Sequence, residues 1–467
     1  MPDPLELLPG EAVGPFHLGS LLFNVLNHVR SFRSDYPSAR IAWDEDSPSS
    51  SPIHLSLTSP PLHLTFSPLS QRLSRIEVQG LDPASTVSYR GKCLGAPGEE
   101  DDVVKTLRRA LGPTYGSSTV TSAQNGAGGA AEEMLSYPGV AFGVTKAQGG
   151  STLHRIIVTP LPAPAGVSVE QAWLHAELPE SPAIAHGDLR LAEIQLDSNK
   201  RPERVLLHFH PLSSDDPASP PAIPPVELRI GHTTSEDILC ELGAAVRTFW
   251  KEDDRLSIHT SSLSRSSPSS ALDPNPYFLS YPHLGLTLLV SSTSSSSDSA
   301  HTLEKILLHS NLPGEVQFGR TARAPWTLVR SDADAADGER LGGEAGFERV
   351  RGALSGAAAA GAGSGVAGRA RPAARGGGKR VEQPLEDLLV GSSSSSPNGG
   401  GGGGSPVLAR SGGGGGAGGA ERERPMILDR TADGRDGVRG KTTEIHGFPG
   451  IALEVTQSGD IETVWLF

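Results

Sequence analysis

Apolar residues along the chain recur in two rhythms, a helical one and an alternating one, and the two follow each other in a fixed order. Leu22, Val25, Leu26 and Val29 sit three or four apart, the spacing of one helix face. Two alternating stretches come next, Leu62 to Phe66 and Leu73 to Val78, separated by a polar turn at Ser67 to Gln71. The pattern predicts a helix and then a β-hairpin.

The order returns three times. Val103, Val104, Leu107 and Leu111 predict a helix that stops at Gly112-Pro113, followed by strands over Val140 to Val144 and Leu153 to Val158. A strand over Leu228 to Gly231 precedes a helix capped by Thr234 or Ser235, with Ile238, Leu239 and Leu242 as its apolar stripe and Gly243 as its end. A strand over Ser257 to His259 and a hairpin of Gly285 to Val290 with Leu303 to His309 complete the third unit. The fourth joins a short island, Val381 to Val390, to Ile451 to Thr456 and Ile461 to Phe467, which turn at Gln457-Ser458-Gly459-Asp460. In the island Leu385, Leu388 and Leu389 keep helical spacing. Additional strands are expected over Arg204 to Phe209 and Val226 to Ile230.

A helix and a hairpin each leave an apolar face that must be covered, so the expected fold is α+β. Repeated helix plus antiparallel hairpin units would pack as helices on antiparallel sheets, with long Gly/Ser/Ala-rich inserts. The expected division is 1–160 for the first pair of repeats and 161–330 for linking strands and the third repeat. A mostly disordered low-complexity insert with a short helix at 381–390 fills 331–424, and 425–467 is the closing hairpin. The insert is read from the alanine-glycine run around Ala357 to Gly368, the serine run Ser392 to Ser396 and the glycine runs from Gly399 and Gly412.

Composition narrows the function classes. Of 467 residues 56 are Gly and 38 are Pro, so the packed part is smaller than the length suggests. A formal net charge of −13 opposes general nucleic-acid binding, which relies on clustered Lys and Arg. Cys93 and Cys240 lack a CxxC neighbour, so neither a disulfide framework nor a zinc site is expected. Met1 to Gly10 is acidic and Pro-containing rather than basic then apolar, and no run approaches the roughly 20 apolar residues of a membrane helix. A soluble, cytoplasmic protein is expected.

Motifs for chemistry are weak. Gly434 to Thr442 reads GRDGVRGKT, with five residues between Gly434 and Gly440 where a phosphate loop has four, and it precedes a strand pattern rather than a helix. His208 and His210 share one strand face, without a third ligand near in sequence. The acids at Glu99 to Asp102 and Glu236-Asp237 stand where helices start, which the macrodipole explains. Ser264 has no Gly-x-Ser-x-Gly setting. The loop Leu308 to Arg323, LHSNLPGEVQFGRTAR, is a turn or a contact surface. No catalytic residue, metal site or cofactor is expected.

Several stretches taken together resemble a known family. They are SQRLSRIEV ending at Val78, SEDILCELG from Ser235, KEDDRLSIH ending at His259, YFLSYPHLGLTLLV from Tyr277, LEKILLHSNLPG from Leu303, and the terminal GIALEVTQSGDIETVWLF. On these segments the chain resembles the phagosome assembly factor family, formerly an uncharacterised, Lin-10-like family. The resemblance implies a non-enzymatic adaptor or regulatory role in autophagy. It implies pairing with a large β-propeller protein at the phagophore assembly site, with peripheral membrane association through that partner. Asn311, Pro313, Gly314 and Phe318, in the family-typical loop, are the candidate partner interface. Two other roles stay open: Golgi-to-plasma-membrane trafficking, with Golgi localisation, and a lipid or small-molecule carrier.

Overall fold

The computed structural model describes residues 4–80, 87–94, 103–113, 116–120, 132–147, 150–160, 188–210, 224–250, 276–292, 301–330, 340–355, 379–386, 388, 425–428 and 442–467. The chain divides into two compact units, Met1–Ala185 with Gly376–Ser395, and His186–Arg375 with Ser396–Phe467.

In the first unit a helix, α1 (Leu22–Ser31), buries Leu22, Val25, Leu26 and Val29, the stripe its spacing dictates. A four-strand meander follows: β1 (Ala39–Asp44), β2 (Ile53–Thr58), β3 (Pro61–Phe66) and β4 (Leu73–Gln79). Helix α2 (Val103–Leu111) buries Val103, Val104 and Leu107, and stops at Gly112 with φ +91°. A second meander follows it, made of β5 (Gly116–Val120), β6 (Glu132–Tyr137), β7 (Val140–Ala147) and β8 (Gly150–Val158). The meanders meet through their last strands, with Val78 of β4 opposite Ile156 of β8. The result is one nine-stranded antiparallel sheet, β5-β6-β7-β8-β4-β3-β2-β1, closed by Arg380–Pro384.

The second unit repeats the arrangement of strands. Its eight-stranded antiparallel sheet runs from β9 (Arg247–Trp250) through β10 (Tyr277–Tyr281), β11 (Leu286–Ser292) and β12 (His301–His309). It then runs backwards through β16 (Ile461–Leu466), β15 (Ile451–Val455) and β14 (Thr443–Phe448) to β13 (Met426–Leu428). Again the last strands meet, here with Leu308 of β12 opposite Val464 of β16. Helix α3 (Ser235–Leu242) precedes β9, and helix α4 (Phe347–Ser355) precedes the β13–β16 meander.

Each unit also holds a five-stranded sheet containing one parallel pair, Leu5–Leu8 with Val87–Tyr89 in the first and Leu189–Leu196 with Trp326–Arg330 in the second. In the second unit both sheets feed a single core. Ile194, Leu207 and Leu328 come from the five-stranded sheet, and Leu288, Ile306 and Val464 from the eight-stranded one. Phe347, Val350 and Leu354 of α4 join them, at a gain of about 1.5–3 kcal/mol for each large side chain removed from water.

The expected α+β class is corrected. Half of the described residues are strand and 14% helix, so the protein is mostly β, and it is not built of helix-on-sheet repeats. The hairpins foreseen are real, but flanking strands such as β1, β2, β6 and β14 widen each into a meander, and in the second unit the two sheets enclose one core between them. The helix foreseen at 381–390 is corrected as well. Arg380–Pro384 is a strand, and it pairs with β1 rather than with the C-terminal hairpin. Inside the segment assigned to the insert, α4 is an ordered helix with a buried face.

Candidate interaction surface

The loop after β12 is built around Asn311. This residue adopts φ +50°, a left-handed conformation that Asn tolerates better than most residues. Its Oδ1 accepts a hydrogen bond from the Gly319 backbone N–H at 2.7 Å. Tight turns fill the interval, Phe318 N to Glu315 O at 3.0 Å and Arg320 N to Gln317 O at 3.1 Å. On its far side Ala322 N reaches Pro282 O, and a Cβ at Gly285 would stand 2.6 Å from the Ala322 oxygen. The loop is therefore clamped to the β10–β11 turn.

That geometry redefines the residues singled out for contact. Asn311, Pro313 and Phe318 are buried and act as the loop's frame, while Gly314, with φ +85°, lies at its partly exposed tip. The rim that meets solvent is Gly314 to Gln317 with Arg320. Loop chemistry in a sequence does not separate frame from rim, because burial depends on the distant turn at Pro282.

Charged groups foreseen as structural are placed so. Thr234 and Asp237 form a capping box: Asp237 N donates to Thr234 Oγ1 at 3.2 Å, and Thr234 N donates to Asp237 Oδ2 at 2.9 Å. The bonds that Thr234 donates to Asp237 Oδ2, from its backbone N–H and from its hydroxyl, hold that carboxyl below its ordinary value. His208 approaches Glu193 at 3.9 Å, and His210 donates its backbone N–H to Asp188 O. Among the described residues no three His, Cys, Asp or Glu side chains converge. Cys93 and Cys240 are both exposed. Glu99 to Asp102, Ser257 to His259, Ser264 and Gly434 to Lys441 lie outside the described residues.

A polar network that sequence spacing does not single out lies on the nine-stranded sheet. Glu77 accepts from Arg75 Nη2 and from Arg155 Nε, each at 2.6 Å, and from Gln79. Burial alone would raise the Glu77 carboxyl, but the Arg155 hydrogen bond and the Arg75 charge outweigh it and hold the group below its ordinary value. His54, two strands away, falls from 6.5 to about 4, first by burial and then by repulsion from Arg380, Arg75 and His63. These groups brace the sheet face.

The two long sheets end differently. On the nine-stranded sheet Arg380–Pro384 is guarded by charges, with Arg40 on Glu382 at 3.2 Å and Lys379 on Glu45 at 2.8 Å, and by Pro384 at its end. The eight-stranded sheet ends in β9, where Phe249 is 51% and Trp250 60% exposed, after Val246 at 59%. Trp250 lies opposite Tyr277 with ring centroids 5.0 Å apart. Beside it, α3 and β10 enclose a cleft of about 260 Å³ lined by Glu236, Leu239, Ala245, Tyr277 and Leu279. Of α3's residues only Ile238 is buried. The sequence reading assigns no element to AVRTFW, and only the strand order shows that it ends a sheet.

A family model described as phagosome assembly factor 1 matches residues 12–467. A PHAF1 protein of Arabidopsis thaliana is 23% identical over 359 residues, 72% of this chain and 77% of the plant protein. A PHAF1 protein of Drosophila melanogaster is 32% identical over 94 residues, about a fifth of each chain (20% and 19%). No solved structure matches. With the match running through both long sheets and their connecting loops, the chain belongs to the phagosome assembly factor 1 family.

Proposed function

We propose that this protein is a non-enzymatic adaptor in phagosome assembly during autophagy, pairing with a β-propeller protein and reaching phagophore assembly sites through that partner. The observation that carries the reading is the family match over residues 12–467. The surface agrees with it: large apolar side chains lie exposed at the end of a sheet, where association hides them from water. Two acids of the described residues are engaged structurally, Asp237 in a helix cap and Glu77 between two arginines. Among the described residues no helix is long and apolar enough to cross a membrane, which suits recruitment through a partner.

The cleft beside α3, at about 260 Å³, is smaller than the roughly 300–1,000 Å³ of pockets that enclose small molecules. The adaptor reading is tested by imaging the tagged protein in fed and starved cells against phagophore and Golgi markers. Puncta on phagophore structures after starvation are expected; steady Golgi residence indifferent to starvation would sink the reading in favour of transport.

A further inference from the structure

We propose that the free edge of β9 receives an extended segment of a partner protein as an added ninth strand, its apolar residues alternating with polar ones and a Lys or Arg falling beside Glu236. The proposal deepens the adaptor reading and rests on it.

The strand order puts β9 at the end of its sheet, with β10 as its one strand neighbour among the described residues. Among the described residues no strand pairs with the other side of its backbone N–H and C=O groups, the arrangement that strand addition uses. The side chains fit the same purpose. Trp250 shares a face with Tyr277 and Leu279 on the α3 side, while Phe249 lies opposite Phe278 on the other face. Each face of this short strand carries one large aromatic residue, Trp250 beside Thr248 and Phe249 beside Arg247, and both aromatic residues are more than half exposed. The guarded edge at Arg380–Pro384 shows that the same chain blunts an edge elsewhere with charges and proline.

Charge selects the occupant. Helix α3 carries Glu236, Asp237 and Glu241 and no basic residue, and Glu236 lines the cleft next to Leu239 and Tyr277. An incoming segment with a basic side chain at that point gains a charge partner, and apolar side chains on either side of it have Leu239, Ala245 and Trp250 to cover. A second copy of this chain fits poorly. Antiparallel pairing of two β9 strands about a two-fold axis would place both acidic helices on the same face of the joined sheet.

The test is panning of phage-displayed random dodecapeptides against the full chain, followed by binding of a synthesised consensus peptide. Enriched sequences should alternate apolar residues and carry Lys or Arg. The peptide should slow hydrogen exchange at residues 247–250. Trp250→Asp should weaken it about tenfold or more and Glu236→Lys about fivefold, with unchanged circular dichroism in both. Acidic or helically spaced consensus peptides, protection elsewhere, or affinity indifferent to both variants would overturn the proposal, as would a concentration-dependent dimer abolished by Trp250→Asp. Retained capture of the cellular partner by the Trp250→Asp chain would overturn the docking site while leaving the adaptor reading standing. A wild-type chain that captures no partner would sink the adaptor reading by itself.

Discussion

The Tyr281 hydroxyl donates a hydrogen bond to the Gly243 carbonyl at 2.9 Å and so ties the end of α3 to the strand beneath it. The side chain is buried, at 1% exposure, and burial pushes the pKa of the hydroxyl above its ordinary value. Ile238 is the buried residue of α3 and Leu242 packs half-buried on the same core, while this bond fixes the helix's C-terminal end. Tyr281→Phe should cost about 1 kcal/mol in denaturant unfolding and speed hydrogen exchange at Gly243 to Val246. Unchanged exchange there would show that α3 is held by other means.

Asn311 combines a left-handed backbone with a side-chain acceptor, so two substitutions separate the two contributions. Asn311→Gly removes the bond to Gly319 but fits the backbone, at a cost of about 1–2 kcal/mol. Asn311→Ala loses the bond and strains the backbone, so its melting temperature should be lower still. The reverse order would mean that the conformation at Asn311 is not what the loop depends on.

How much of this was legible in the sequence depended on how local each signal is. Thr234, Asp237 and Gly243 mark both ends of α3, and the structure adds only the bond geometry. The C-terminal hairpin was equally plain, with Thr456 N bonded to Asp460 O across the expected turn. Residues 380–390 misled, because Leu385, Leu388 and Leu389 match a helix face while the strand just before them is held by β1, more than 300 residues away in sequence. Helix α4 left a signal in Phe347, Val350 and Leu354 at helical spacing, masked by the glycine-rich stretch around it. At the candidate surface, Phe249 and Trp250 carry no local mark of exposure; their place at the end of a sheet is set by distant strand pairing.

Close backbone approach separates two glycines that look alike in sequence. Gly139 has φ +73°, and a Cβ there would stand 2.5 Å from the Gly10 backbone; Gly459 has φ +83° and nothing within 4 Å. Gly459→Ala should cost about 1–2 kcal/mol from backbone strain alone. Gly139→Ala adds a backbone clash and should cost about 3 kcal/mol or more, read by chemical unfolding. Equal costs would mean that the segment around Gly10 yields freely.

Acid should loosen the nine-stranded sheet. His54 takes up its proton near 6.5 when unfolded but only near 4 when folded, so the unfolded chain binds more protons between those values. The stability tied to the neutral ring is present above about pH 6.5 and is lost as pH falls toward 4, by up to about 3 kcal/mol. Glu77, also held low, adds a loss of the same sign in the carboxylate range. His54→Gln should flatten the melting-temperature profile between pH 6.5 and 4. An equally steep profile in that variant would assign the acid sensitivity to other groups.

Holding a protein partner in phagosome assembly is the role proposed for this chain. The most direct test is affinity purification of the tagged full chain from its own cells, fed and starved, with quantitative mass spectrometry of what accompanies it. A β-propeller protein should be recovered in near-stoichiometric amount, and lost with Trp250→Asp. Golgi coat or tethering components in its place, or a chain recovered alone under both conditions, would contradict it.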